Sequence, residues 1–242
     1  MILAAPIFEN KEIRSIVKIQ DIILPRLDIC TVEELFLRLN SKCFFNYKEN
    51  KAELNQGGII SFDTYFNSLS VQKWLDYTNV KTISIDLHLK GVFKVRLLNI
   101  DYFSSYTKLV NQKVITSDEL DKVSIFENID IYPYKGLLYV EIEALESNCL
   151  FTGGCFYTSI NNSQKLDVKI AAVICTYKRE LYVHKNVQLL EKYLLNKSDI
   201  GDRFEIFIID NGKTLSDIEN HKIHLIQNKN AGGSGGYTRG II

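Results

Sequence analysis

Between about residues 80 and 160 the chain alternates apolar and polar positions with a period of two, a pattern that restricts the region to strands with one buried face. Ile83, Ile85, Leu87 and Leu89 interleave with Ser84, Asp86, His88 and Lys90. Gly91 interrupts the run, and Val92, Phe93, Val95 and Leu97 resume it against Lys94 and Arg96, which reads as a hairpin. Over 138–144, Val140, Ile142 and Ala144 face one way and Tyr139, Glu141 and Glu143 the other. The polar pairs Asp86/His88 and Lys94/Arg96 read as solvated faces. The first 80 residues are less regular, with a short helix expected over 32–39 and a turn at Gly57-Gly58 before an aromatic-rich stretch. Several short strands separated by turn signals predict an antiparallel β-sandwich over 1–165.

The polar stretch 161–165 marks a boundary, because the pattern changes after it. Residues 168–175 are apolar except for Lys169, as expected of a strand covered on both faces. Val183, Val187, Leu190 and Leu194 follow at helical spacing and predict an amphipathic helix over 182–196. Residues 204–209 form a second buried strand ending at Asp210, and 223–226 a third. Strand, helix, strand, loop, strand opens a doubly wound parallel sheet, whose ligands sit beyond the carboxyl ends of the strands. The expected fold is therefore mixed β and α/β, with a second domain over 166–242. Thr176, Asp210 and a glycine cluster all fall at such ends.

That cluster, Asn228-Lys-Asn230-Ala-Gly232-Gly233-Ser-Gly235-Gly236-Tyr-Thr-Arg239-Gly240, is the strongest chemical signal in the chain. Four glycines in five positions let several amides converge on one anion, and Arg239 adds a cationic fork. A flexible linker is the plainer reading, though linkers rarely carry an Asn-x-Asn lead-in and a trailing Arg-Gly. A dinucleotide fingerprint starting at Gly233 fails at Thr238, where glycine is required. A Walker loop over 235–240 fails because Ile241-Ile242 stands where Lys-Ser/Thr must follow. A diphosphate cradle of another kind remains.

With 29 basic and 29 acidic residues the chain has no net charge, which argues against a general nucleic-acid or membrane-surface binder. Five cysteines without a C-x-x-C fit a reducing compartment better than a disulfide framework or zinc site. Residues 1–8 are apolar but short, lack a basic lead and meet Glu9 at once, so they make a poor signal peptide. No run reaches the length of a membrane span. A cytoplasmic location follows as the expectation, and the sequon at Asn196 carries no weight there. His221 and His224, three apart at a strand entrance, point to opposite faces and make a poor metal pair.

Val-Ile-Cys-Thr-Tyr-Lys-Arg at 173–179, Ile-Ile-Asp-Asn-Gly at 208–212 and the cluster at 228–240 resemble the first half of a GT-A glycosyltransferase of glycosyltransferase family 2. More narrowly they resemble the bacterial galactofuranosyltransferases of cell-wall polysaccharide synthesis, which carry a β-sandwich before the nucleotide-binding domain. The motif match covers 168–240. The resemblance implies a UDP-sugar donor, UDP-galactofuranose, and a glycan or lipid-linked glycan acceptor. It places Thr176 against the nucleoside, Arg179 at the base or diphosphate, Asp210 on the uracil imide, and Asn230 with Gly232, Gly233, Gly235 and Gly236 around ribose and phosphates, with Arg239 nearby. Lys178 stands where the family commonly has Asn. Against these roles, Asp210 can cap the following turn, Arg179 can be a solvated helix-start charge and Thr176 a simple helix cap.

The family's Mg2+ or Mn2+ ligands and its catalytic base are expected beyond Ile242, so the chain reads as an N-terminal fragment of an inverting transferase, inactive alone. A homo-oligomer, and peripheral association of the full-length enzyme with the inner face of the cell membrane, stay open. Two other classes compete: a carbohydrate-binding or assembly module without chemistry, and a sugar nucleotidyltransferase, whose glycine loop usually follows the first strand instead.

Overall fold

Ten strands form one antiparallel sheet system in the first part of the chain: β1 (Arg14–Ile22), β2 (Arg38–Leu39), β3 (Cys43–Asn46), β4 (Lys51–Leu54), β5 (Ile59–Ser61), β6 (Leu69–Ser70), β7 (Thr82–Ile100), β8 (Thr107–Asp130), β9 (Leu137–Ala144) and β10 (Cys149–Asn161). A short helix, α1 (Val71–Tyr77), separates β6 from β7. The computed structural model describes residues 14–102, 104, 106–161, 168–197, 200–216 and 218–242. The apolar residues 1–8, positions 162–165 of the polar boundary and Ser198 of the sequon lie outside them. The chain divides into two units, Met1–Lys165 and Leu166–Ile242.

The expected hairpin at Gly91 is not there. β7 runs through the glycine as one strand of 19 residues, paired with β10 over 84–90 and with β9 over 93–100. Gly91 adopts φ +113, and a Cβ on it would meet Cys149 Sγ at 2.5 Å. The register against β8 slips between Leu89 and Gly91. Gly91 is thus a bulge at which one strand changes partner and bends, the corner of a sandwich. A lone glycine in a period-two run signals a bulge as well as a turn, and no Asn-Gly or Asp-Gly pair stands there to force the chain back.

Two expectations about polar positions also change. Ser84 and Asp86 are buried: Ser84 Oγ accepts the Asn128 amide at 2.9 Å, and Asp86 binds the Lys122 ammonium at 2.7 Å. Lys94 and Arg96 are half-buried and face Glu143 and Glu141 across β9, with Arg96 Nε 2.8 Å from Glu141. They form a cross-strand charge ladder rather than a free solvated face.

The predicted helix over 32–39 is a 3-10 turn at Glu33–Leu35 followed by β2. Its apolar spacing is helical, but pairing of β2 with β5 draws the backbone out straight. The Phe36 carbonyl accepts from both Thr64 Oγ1 and Asn67 Nδ2, which holds it away from a helical partner.

Asn67 is wholly buried, and its amide also bonds the Ile23 backbone twice, accepting at 2.6 Å and donating at 2.9 Å. Two segments 44 residues apart are joined through one side chain. Asn67→Ala strands the amide and the carbonyl of Ile23, and leaves the Phe36 carbonyl with Thr64 alone, beside an apolar core that includes Phe36 and Phe62. It is expected to destabilise the chain by about 2 kcal/mol in urea unfolding, with no change of fold by circular dichroism.

The second unit holds three parallel strands in the order β11 (Ile170–Thr176), β12 (Phe204–Asp210), β13 (Ile223–Gln227). Helix α2 (Glu180–Leu190) begins two residues earlier than its apolar spacing suggested and passes into a π-helical turn at Glu191–Leu195. Val183 and Val187 of α2 join Ile206 and Ile208 in one core, with Ala172 and Ile174 packed against it. Residues of opposite parity, Val173, Cys175 and Ile209, meet the glycines of α3 (Gly232–Ile241). The two helices therefore cover opposite faces of the sheet. The expectation that residues 168–175 are covered on both faces is met only in the second half of the run: Ala172 and Ile174 pack on the α2 side and Val173 and Cys175 against α3, while Val168 and Ile170 are exposed and β11 pairs only with β12 among the described residues. An uninterrupted apolar run marks a strand but not its place in the sheet.

No helix among the described residues is long and apolar enough to cross a membrane.

Candidate functional site

Three strand ends lie in one row. Thr176 pairs with Asp210, and Asp210 with Gln227. The ladder continues one step further: the Asn211 amide donates to the Thr176 carbonyl at 2.9 Å, and the Asn228 amide to the Asp210 carbonyl at 2.9 Å. Parallel pairing thus delivers the polar residues after each apolar run to one edge, where an α/β sheet presents its ligands.

The glycine cluster is mostly helix rather than loop, since α3 takes up Gly232 to Gly240. Its glycines divide into two kinds. A Cβ on Gly236 would lie 2.2 Å from Cys175 Sγ and one on Gly240 2.3 Å from Val173 Cγ1. Four residues apart, they share a helix face and let α3 sit directly on β11. That packing outweighs glycine's helix penalty of about 1 kcal/mol each. Gly236, expected at the phosphates, is buried against the sheet instead.

Gly232 and Gly233 are open, and a Cβ on either would meet nothing within 4 Å. They form the first turn of α3, where amides lack intrahelical acceptors and the helix dipole favours an anion. Gly235 has only Ala231 Cβ in its way, at 2.5 Å. The Gly232 amide donates to Asn230 Oδ1 at 3.1 Å, which fixes the entry into the helix. Arg239 is exposed in the last turn of α3, seven residues on from Gly232 and therefore roughly 10 Å along the axis. It is not beside the first-turn amides. A pattern read as a loop puts the arginine close, and the helix carries it away.

Asp210 is 0% exposed. One carboxylate oxygen accepts the Gly212 amide at 2.8 Å, the other the Thr214 and Leu215 amides at 2.7 and 2.8 Å. Burial alone would raise its carboxyl, but the amides of Leu215, Gly212, Thr214 and Lys213 outweigh it and hold the group below the ordinary aspartate range. The side chain caps its own turn and is closed to solvent, the arrangement of the plainer capping role. In the first turn of α2, the Thr214 side chain and Glu180's own amide lower the Glu180 carboxyl.

Thr176 is buried, and its Oγ1 has no hydrogen-bond partner. It does not cap α2, whose N-cap position is Arg179. Arg179 is exposed, makes no side-chain cap bond and lies with its guanidinium 5.9 Å from the Tyr182 ring centre.

One residue that organises this edge, Asn211, was given no role from the sequence. Asn211 Nδ2 donates to the Gly232 carbonyl at 3.2 Å and contacts Cys175 Sγ at 3.4 Å, while its Oδ1 accepts from Asn228 Nδ2 at 2.8 Å. One buried amide therefore ties β11, the end of β13 and the start of α3 together. The available signal was an asparagine directly after each of two strand ends. His224 stacks on Phe207 at 4.7 Å and reaches Glu205 at 3.1 Å. Among the described residues no three His, Cys, Asp or Glu side chains gather as a metal site. The carboxylate on the strand-end row is spent on amides, so the donor set present does not fit Mg2+ or Mn2+.

A mostly antiparallel β-sandwich followed by a small parallel unit defines a β-rich protein of two units. The chain belongs to the galactofuranosyltransferase 2 N-terminal family, whose model matches residues 19–173. The match runs through the sandwich and stops within β11. Among curated proteins, none matches the chain. Among solved structures, a family two carbohydrate esterase from Cellvibrio japonicus is similar at TM-score 0.29 and 9% identity, over 67% of this chain and 39% of that one. The xylan binding module CBM86 from Roseburia intestinalis gives TM-score 0.33 and 8% identity, over 61% and 96%. The CBM22-1 and GH10 modules of a Clostridium thermocellum xylanase give 0.35 and 10%, over 79% and 37%. The chain thus spans well under half of the first of these proteins, and likeness at this level carries no argument.

Proposed function

We propose that this chain is the front part of a glycosyltransferase of the GT-A kind and that the edge at Thr176, Asn211 and Gly232 holds the nucleoside diphosphate of its donor. The observation that carries the reading is the open first turn of α3. Gly233 exposes a helix-start amide with no side chain in the way, the Gly232 amide before it is held by Asn230 Oδ1, and Asn211 anchors the turn to the strand ends. Diphosphate oxygens suit a helix-start amide, and the Thr176 hydroxyl, unpartnered but closed to solvent, donates to the nucleoside only where the edge opens to admit it. Membership of a galactofuranosyltransferase family supports UDP-galactofuranose as the proposed donor, and the proposed acceptor is a growing cell-surface glycan, free or lipid-linked. Asp210 acts as a positioning residue that shapes the 211–215 turn. Arg179 and Arg239, both exposed, serve as outer electrostatic attraction for the anion. In this reading Mg2+ or Mn2+ and the base of an inverting transfer draw on carboxylates outside the described residues.

Gly233→Asp tests the site directly. The added side chain has free space, and an acidic residue in the first helical turn is favourable by about 0.3 to 1 kcal/mol, so the fold should survive. The same carboxylate stands against a bound diphosphate. UDP affinity, read by calorimetry on the 242-residue chain, is expected to fall at least about 10-fold with no fall in melting temperature. Unaltered UDP binding would remove α3 from the donor site.

A further inference from the structure

A cleft of about 500 Å³ lies on the sandwich, between β3, β4, β10 and β7. The pairing register sets Phe44, Glu53, Leu150 and Lys90 side by side on these four strands. Directly paired residues share a sheet face, so the four form one row. The row crosses three inter-strand gaps, roughly 14 Å at about 4.8 Å each.

At one end Phe44 leaves 63% of its surface exposed, a flat apolar plate in a row that also holds half-buried Leu150. At the other end stands the exposed Lys90, and Lys42 borders the cleft beside Phe44. The charge balance is one-sided. Glu53, the one acid lining the cleft, is bound by Lys51 at 3.3 Å, and Lys51 also holds Glu49 at 2.6 Å. Neither Lys42 nor Lys90 has an ion-pair partner among the described residues. A concave face with an exposed aromatic plate and two uncompensated ammonium groups at separate points matches a ligand that is both sugar-like and anionic.

We infer that this cleft binds an acidic oligosaccharide, with one sugar ring stacked on Phe44 and sugar carboxylates set against Lys42 and Lys90. The span of the row requires several linked sugars, since a single phosphate or monosaccharide cannot serve both ends. Lysines hold such carboxylates as point charges, without the fixed fork of an arginine, and so accept some variation in linkage. The site belongs to the sandwich unit and is independent of the nucleotide edge.

The test is titration of the 242-residue chain with tetragalacturonate, followed by calorimetry, beside neutral β-1,4-galactotetraose and inorganic phosphate. Tetragalacturonate is expected to bind, with affinity reduced about 10-fold in Phe44→Ala and again in the double variant Lys42→Gln/Lys90→Gln. These side chains are exposed, so melting temperatures should not move, and UDP binding by the same variants should be unchanged. Equal binding of the neutral tetrasaccharide would overturn the proposal by removing the cations from it. So would competition by phosphate at equal concentration, which would reduce the cleft to a simple anion site. Absence of tetragalacturonate binding, or binding that ignores both variants, overturns it outright.

Discussion

Asp210→Ala is expected to destabilise the Leu166–Ile242 unit by about 4 kcal/mol, the largest loss from any single polar side chain in that unit. The carboxylate is fully buried and accepts the amides of Gly212, Thr214 and Leu215, each at 2.8 Å or less. Charge-assisted bonds of this length are among the stronger ones, and truncation leaves three donors without this partner, that of Leu215 fully buried. Asp210→Asn keeps one acceptor oxygen and should lose about half as much. The pH dependence has a definite sign. The carboxyl is held below its ordinary value of 3.8 in the folded chain, so its stabilisation is complete above that value and is lost as pH falls through the lower folded value. Urea unfolding of the parent chain should therefore lose stability below about pH 4, and the loss should shrink in Asp210→Asn. Nucleotide titration separates cap from ligand. Folded Asp210→Asn is expected to keep UDP affinity within about 3-fold, because no part of the carboxylate is exposed. A loss of affinity without a loss of stability would return Asp210 to the uracil.

The sandwich was legible because period-two alternation is a direct record of which side chains face the core, and Ile83, Ile85, Leu87 and Leu89 are all buried. What the alternation could not record was where strands change partner. Gly91 and its bulge against Cys149 depend on contacts 58 residues apart, which no local pattern carries. The same limit explains 32–39, where helical spacing lost to pairing with β5. At the candidate site the residue types were visible and their geometry was not. Asp210, Arg239 and Gly236 stand out as a carboxylate, a guanidinium and a glycine beside other glycines. Only the fold shows that the first is enclosed by its own turn, the second is carried to the far end of a helix and the third is pressed against a strand. Asn211 was passed over because an asparagine after a strand ordinarily makes a turn. Here its side chain links Asn228 to Gly232.

Gly236→Val is expected to detach α3 from the sheet and abolish UDP binding together. The first atom added to Gly236 falls 2.2 Å from Cys175 Sγ and 3.0 Å from Asn211 Nδ2, and both neighbours are held, the one on a strand and the other in its hydrogen-bond network. Neither can yield far, so the helix must move. Overpacking of this kind costs about 3 kcal/mol, and a β-branched residue adds further atoms at the same contact. Because Asn211 bonds the Gly232 carbonyl, a displaced α3 also loses its anchored first turn, which couples the packing defect to the donor site. A glycine three positions earlier should respond with the opposite sign. Gly233→Ala meets nothing within 4 Å and replaces glycine with the best helix former, so it should stabilise α3 by up to about 1 kcal/mol. Hydrogen exchange along 232–241 reads both outcomes in the same peptide. A second-site test separates packing from helix propensity: Cys175→Ala removes the sulfur, leaves the Cys175 Cβ at an ordinary 3.4 Å, and should restore most of what Gly236→Ala loses. If Gly236→Ala is as stable as the parent without that rescue, α3 does not rest on β11 through Gly236 and the anchored first turn has lost its foundation.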